Sequence, residues 1–359
     1  MACEGSCHCR FESEAHPPAE RVTARLARAV VCIVLAAAVL LAPSPGWPQL
    51  SPGSMEVRWS EGSPDCGNHP QPPLQIHQYN ARTYILRENL CTTFEAPFMY
   101  LLLGSARALL IDTGDVADPK QMPLAATVTN LLPGEGAAKL PLLVVHTHRH
   151  FDHRAADPQF TRLPNVQVVG YTVASVRDYY GFPDWPIGLA QISLGDRTLD
   201  VMPTPGHNET EVSFYDRNTG LFISGDFLLP GRLLIDDARA DLASAQRVAA
   251  FIKDRPVTFV LGGHIEMDTR GDLFAWGSRY HPHEHVLQMT KDDLLALPAA
   301  VRSFNGFYTV RGHFVMMNSM RILSVEGIGA LLVLIVLATL LVKFIRRRRR
   351  RGGDLHAAT

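Results

Sequence analysis

Cysteine is scarce in the body of this chain. Of six cysteines in 359 residues, Cys3, Cys7, Cys9 and Cys32 crowd the N-terminus, and only Cys66 and Cys91 follow. The Cys3-x-x-x-Cys7-x-Cys9 cluster has no matching second half, which argues against a paired-thiolate metal site there. No cysteine follows the apolar stretch from Ala29 to Ala42 closely enough to carry a lipid, which argues against a lipoprotein signal. A small-x-small cleavage pattern is missing too, because Ala42 precedes Pro43. A net positive charge is also missing from the body. The net charge of −1 includes Lys343 and the run Arg346 to Arg351, and setting those seven cations aside takes it to −8. A chain that is acidic outside its tail is a poor binder of nucleic acid. Apolar residues, by contrast, make up 47% of the chain, enough for the core of one large domain with appendages.

Two appendages flank that domain. Arg21, Arg25 and Arg28 precede the aliphatic stretch at 29–42, so residues 1–42 read as a signal peptide or an N-terminal anchor. The first twenty residues are long for the basic region of a signal. One hypothesis is therefore that synthesis starts at Val22, and a precursor containing Met1 to Arg21 by mass spectrometry would end it. At the other end, Gly327 to Val342 is uncharged, and Phe344 and Ile345 extend it. About 19 residues at ~1.5 Å each span ~28 Å, close to the apolar thickness of a bilayer, if Lys343 snorkels. Residues 326–345 are therefore read as a transmembrane helix and 346–359 as a basic cytoplasmic tail. Both ends place the domain outside the cytoplasm. There, Cys66 and Cys91 form an even pair that an oxidising compartment would let close.

Between the appendages, residues 43–74 are rich in Pro and Gly and show no periodicity, which predicts a linker. Residues 75–300 form the expected domain, and 301–325 a connector. Short apolar runs at Thr83–Leu86, Phe98–Leu103, Ala108–Ile111, Leu142–Val145 and Val166–Val169 read as strands. Helices are expected over Pro123–Leu132, Val173–Tyr180, Leu242–Lys253 and from Asp292. The loop at 181–191 either packs an aromatic on the core or walls a cleft. Alone, the pattern says only α/β.

The densest chemistry is His148-Arg-His150-Phe-Asp152-His153, on the loop leaving the Leu142 strand. Imidazole and carboxylate are ligands for Zn, Fe or Mn. Further candidates follow: His207 in Pro-Thr-Pro-Gly-His, Asp226 in Ser-Gly-Asp, and His264 in Gly-Gly-His. Upstream, Asp112 ends a strand in Ile-Asp-Thr-Gly. His146 and the stretch His281-Pro-His283-Glu-His285 are histidine-bearing but lie outside these motifs. The second stretch reads as a surface loop or a site mouth, and Gly206 as the residue that lets the backbone approach the metals.

The order His-x-His-x-Asp-His, followed by His207, Asp226 and His264, resembles the metallo-β-lactamase superfamily over roughly residues 75–300. The resemblance implies an αββα sandwich and two metals, most readily zinc, with iron or manganese also open. His148, His150 and His207 would hold the first, Asp152, His153 and His264 the second, and Asp226 would bridge them. Asp112 would accept a proton from a ligand histidine, and Asp152 would also take part in catalysis. With a hydroxide shared between the metals, the implied activity is hydrolysis of an ester, thioester, lactone or related bond in a small-molecule substrate. No cysteine occupies a ligand position and His150 is not Glu, which sets aside the cysteine-ligand lactamases and the diiron oxygen reductases. A mononuclear iron dioxygenase of the persulfide type and a non-catalytic, metal-binding module remain as alternatives. The sequence leaves the oligomeric state undetermined.

Overall fold

The computed structural model describes residues 49–356. The expected signal or anchor at 1–42 lies outside those residues. Strands β1 (Leu74–Asn80), β2 (Thr83–Glu88), β3 (Phe98–Leu103), β4 (Ala108–Ile111), β5 (Leu142–Val145) and β6 (Val166–Val168) form one sheet in that spatial order. The first four pair antiparallel, while β4, β5 and β6 run parallel. Parallel neighbours need crossovers. Helix α1 (Leu124–Leu131) lies between β4 and β5, and the short helix α2 (Asp157–Phe160) between β5 and β6. Helix α3 (Val173–Tyr180) then leads to the second sheet.

That sheet contains β7 (Ala190–Ser193), β8 (Thr198–Pro203), β9 (Val212–Asp216), β10 (Leu221–Gly225), β12 (Phe259–Gly262) and β13 (Gln288–Met289), in the order β13-β12-β10-β9-β8-β7. Strand β11 (Arg232–Leu234) leaves it and pairs with β15 (Phe314–Met317), which also pairs with β14 (Tyr308–Arg311). Helices α4 (Ala238–Ile252) and α5 (Lys291–Arg302) pack on the outer face of the second sheet, and α6 (Ser319–His356) follows β15.

Three apolar layers result. Along β3, Phe98, Tyr100 and Leu102 face the second sheet, where they meet Val201, Phe214 and Ile223. Met99, Leu101 and Leu103 face the opposite way, towards Leu124 and Val128 of α1 and Phe160 of α2. On the far side, Tyr215, Phe222 and Val260 pack against Val248 and Ile252 of α4 and Leu294 and Leu297 of α5. Each fully buried Leu or Phe side chain contributes roughly 1.5–3 kcal/mol. Strands covered on both faces carry no polar alternation, so β3, β4 and β5 read as unbroken apolar runs. The layering is helix, sheet, sheet, helix, as the resemblance implies.

Two stretches differ from the sequence expectation. Residues 49–73, read as part of a linker, lie on the domain. Trp59 is buried edge-on against Phe98 at 4.9 Å, and Cys66 is disulfide-bonded to Cys91 with Cα atoms 5.3 Å apart. Among its described residues the stretch forms no strand, only an isolated bridge, which is why periodicity missed it; besides the aromatic contact and the disulfide, hydrogen bonds such as Ser54 N to Tyr79 O at 2.9 Å and Ser63 N to Arg279 O at 3.1 Å hold it. Within the expected connector at 301–325, β14 and β15 form a hairpin, and α6 begins at Ser319 rather than 326. The candidate span of that helix is Ser319–Phe344, 26 residues, within which an 18-residue window has a mean hydropathy of 2.6 and no buried residue. By length and composition it can cross a membrane.

Candidate metal centre

Strand direction assembles the site. Parallel β4 and β5 end side by side, which brings Asp112 next to the loop at 147–153. Parallel β10 and β12 end together as well, which brings Asp226 beside His264. Open sheets of this kind present loops for ligands at the carboxyl ends of their strands. Two hydrogen bonds join the sheets beneath the site: Tyr100 Oη donates to Gly262 O at 2.5 Å, and Phe98 N to Gly263 O at 2.8 Å. Gly225 adopts φ +57, and a Cβ there would lie 2.6 Å from Thr147 Cβ. A side chain at this position would push apart the two loops that carry the ligands. Gly206 serves a different purpose from the one its sequence suggests. A Cβ on it would meet Asp241 in the first turn of α4 at 2.4 Å, so the close approach is to the helix.

All seven candidate ligands converge. His148 Nε2 lies 2.9 Å from His150 Nδ1, and His207 Nε2 lies 3.0 Å from the same atom. In the second group, His264 Nε2 lies 3.3 Å from His153 Nε2, and Asp152 Oδ2 sits 3.4 and 3.3 Å from His153 Nε2 and His264 Nε2. Asp226 stands between the groups. Its Oδ1 is 3.5 Å from His153 Nε2, and its Oδ2 is 3.6 Å from His207 Nε2. Each group has the composition and spacing to hold a metal ion.

The outer nitrogens fix which atoms face inward. His207 Nδ1 donates to Leu234 O at 2.9 Å and His264 Nδ1 to Glu95 O at 2.8 Å. A carbonyl only accepts, so the proton is on Nδ1 and the Nε2 lone pair points into the site. His153 Nδ1 meets Asp112 Oδ2 at 2.9 Å in the same way. Asp112 also accepts from Thr147 N at 2.7 Å, so it orients a candidate ligand and caps the turn at once. The carboxyls complete the case. Burial works against their charge, yet the surrounding imidazoles hold Asp152 and Asp226 well below the usual carboxylate range. Asp226 Oδ1 is buried without a hydrogen-bond partner. Inward lone pairs, ionised carboxylates and an orphaned oxygen suit cations.

Several residues of the site were silent in the sequence. A cleft opens over the cluster, lined also by Glu95, Leu229, Arg232, Leu234, Glu266 and Trp276. Arg232 lies 3.5 Å from Glu266 and 5.5 Å from the ring centre of Trp276. Glu95 is pushed up to about 7, mainly by burial. No local spacing marks these positions, because they come from three separate loops and β11. The loop at 181–191 does not line this cleft; Phe182 is buried and Trp185 packs on the core. The second histidine stretch is a packed strap. His281 stacks on Phe274 at 4.1 Å, and Glu284 forms a buried two-pronged pair with Arg87 at 2.7 Å for each bond. His146 bonds Asp157 at 2.8 Å, away from the ligand atoms.

Comparison with known proteins follows the same outline. The Metallo-beta-lactamase superfamily profile matches residues 92–264, ending on the last candidate ligand. The chain is 28% identical over 215 residues to the acyl-coenzyme A thioesterase MBLAC2 of Gallus gallus, covering 51% of this chain and 77% of that protein. It is 32% identical over 132 residues to the hydroxyacylglutathione hydrolase of Anaeromyxobacter dehalogenans, covering 36% of this chain and 46% of that one. A solved metallo-beta-lactamase from Pontibacter korlensis aligns with a TM-score of 0.45 at 16% identity, over 64% of this chain and all of that one. With its sheets layered as the sequence resemblance implied and its relatives named as hydrolases of two kinds, the domain at residues 92–264 belongs to the metallo-beta-lactamase superfamily, as one of its hydrolases.

Proposed function

We propose that the chain is a membrane-anchored, extracytoplasmic hydrolase with a two-metal centre that cleaves an acyl ester, thioester or lactone. The observation that carries this reading is Asp226. One of its oxygens faces His207 of the first ligand group and the other faces His153 of the second, as a bridging carboxylate must. In this reading His148, His150 and His207 hold one ion, Asp152, His153 and His264 the other, and zinc is the first expectation. Bound there, divalent ions would supply an acidified water and a Lewis acid for the substrate carbonyl.

The protein's own groups do the rest. Asp112, Leu234 O and Glu95 O keep three imidazoles in the ligating tautomer. Asp152, with 22% of its side chain exposed at the cleft, takes and returns a proton during turnover. Leu229, Leu234 and Trp276 offer an apolar wall for an acyl group, and Arg232 a positive charge beside it. The name of the MBLAC2 relative favours a thioester. Helix α6 supports membrane anchoring, and the basic run at 346–351 supports a cytoplasmic tail. The Cys66–Cys91 disulfide supports an oxidising compartment for the domain.

The test is elemental analysis of the purified chain beside a panel of thioester, ester, lactone and β-lactam substrates. The expected result is two zinc ions per chain, with turnover that Asp226→Ala abolishes in a folded protein. One iron per chain with oxygen uptake and no hydrolysis would replace this reading with the dioxygenase one. Full activity in folded Asp226→Ala would refute the bridging role.

A further inference from the structure

The hairpin of β14 and β15, with the residue before it, exposes three apolar side chains close together. Phe307 is 44% exposed, Tyr308 45% and Val310 55%. These residues sit at the base of α6. Tyr308 pairs with Met317 across the hairpin, and Asn318 N donates to Phe307 O at 3.0 Å. Asn318 is buried; its side chain caps α6 by accepting from Arg321 N at 2.9 Å, and donates to Ile235 O at 2.7 Å. Arg321 reaches back to Gly306 O at 3.4 Å. The first turn of the helix is therefore fastened to the hairpin and to the end of β11.

Length sets the depth. The candidate span of 26 residues measures ~39 Å at ~1.5 Å per residue, longer than the ~30 Å apolar layer of a bilayer. Glu326 and Arg321 mark the excess at its start, so the apolar layer begins near Gly327 and the first two turns lie among the headgroups. Phe307 and Tyr308, beside Ser319, fall at that level, where amphipathic aromatics concentrate. Charge agrees. Residues 301–325 contain Arg302, Arg311 and Arg321 and no Asp or Glu, with Glu326 next in the chain, which suits the phosphate groups that lipids of either leaflet carry.

From this juxtaposition we infer that the β14–β15 hairpin docks on the lipid headgroups of the bilayer that α6 spans, through Phe307, Tyr308 and Val310. The inference rests on the membrane-spanning reading of α6. Its consequence reaches the site. Strand β11 pairs with β15, and it carries Arg232 and Leu234 of the cleft wall. Two strand spacings, about 10 Å, then separate that wall from β14. The cleft is held beside the lipid surface, in reach of an amphiphilic acyl substrate lodged in it.

The test uses the full chain in vesicles of phosphatidylcholine and phosphatidylglycerol. Alkaline carbonate is applied first, and release of the protein overturns the spanning reading and this inference with it. For retained protein, a Phe307→Trp variant adds fluorescence to that of the four native tryptophans. Lipid brominated high on its acyl chains is expected to remove about half or more of that added signal. Retention without quenching overturns the docking and leaves the spanning reading standing. A second measurement avoids the new tryptophan: amide exchange over 306–311 in nanodiscs is expected to be roughly tenfold slower in the wild type than in Phe307→Ser/Tyr308→Ser. Equal exchange overturns the docking. Slow exchange without lipid quenching would mean that a protein covers the hairpin, and would overturn it equally.

Discussion

Replacing Asp112 by Asn exchanges one oxygen for an NH2 and leaves volume and burial intact, yet it is expected to cost the second metal. Two carboxylate oxygens here receive Thr147 N at 2.7 Å, Thr147 Oγ1 at 2.9 Å and His153 Nδ1 at 2.9 Å. An amide offers one accepting oxygen and one donating nitrogen. If its oxygen meets Thr147 N, whose position the backbone fixes, its NH2 faces the hydroxyl and the imidazole. The hydroxyl can rotate to accept. His153 can accept only by moving its proton to Nε2, the atom that lies 3.5 Å from Asp226 and would hold the metal. If the amide flips, its NH2 opposes the backbone N–H instead. Either state loses a good partner in a buried site. Loss of a ligand's orienting partner typically weakens a metal site about 10–100-fold, or ~1.4–2.8 kcal/mol. The assay is titration with a competing chelator, followed by elemental analysis. The first ion is expected to stay and the second to leave at a chelator concentration about 10–100-fold lower than in the wild type. A folded Asp112→Asn variant that binds both ions with native affinity would refute the tautomer argument.

Three further outcomes concern the scaffold. Glu284→Ala strands the buried Arg87 cation, whose side chain is 2% exposed, and is expected to cost about 3–5 kcal/mol by urea unfolding; a loss below about 1 kcal/mol would refute the buried pairing. Gly225→Ala forces an L-residue into φ +57 against Thr147 and is expected to lose about 1–2 kcal/mol from backbone strain alone, together with metal content; native stability and metal content would show that the loops can separate. Burial pushes Glu88 up to about 8, from an ordinary 4.5. Because its folded value is the higher one, its contribution to stability is complete below about pH 4.5 and falls as pH rises through 8, by at most ~1.4 kcal/mol per pH unit. Glu88→Gln is expected to flatten that part of the stability profile, and an unchanged slope would remove Glu88 as its source.

The candidate ligands were legible because metal chemistry limits such groups to few residue types, and because most follow a short strand in the sequence. His148 to His153 follow β5, Asp226 follows β10 and His264 follows β12. Their number and order were therefore readable without coordinates. So was the apolar helix, whose length and composition are local properties. Strand runs were visible too, but not their inward and outward faces, because helices cover the outer side and erase the polar alternation. The sequence alone determined what could bind and what could span. Only the tertiary structure decided what holds those groups in place. The carbonyls of Leu234 and Glu95 set two imidazole tautomers, Arg87 meets Glu284 across 197 positions, and Arg232 and Trp276 reach the cleft from separate elements. The 49–73 stretch and the hairpin at the foot of α6 belong to the same class. Backbone carbonyls have no residue type, and distant partners leave no local spacing, so such contacts exist only once the chain has folded.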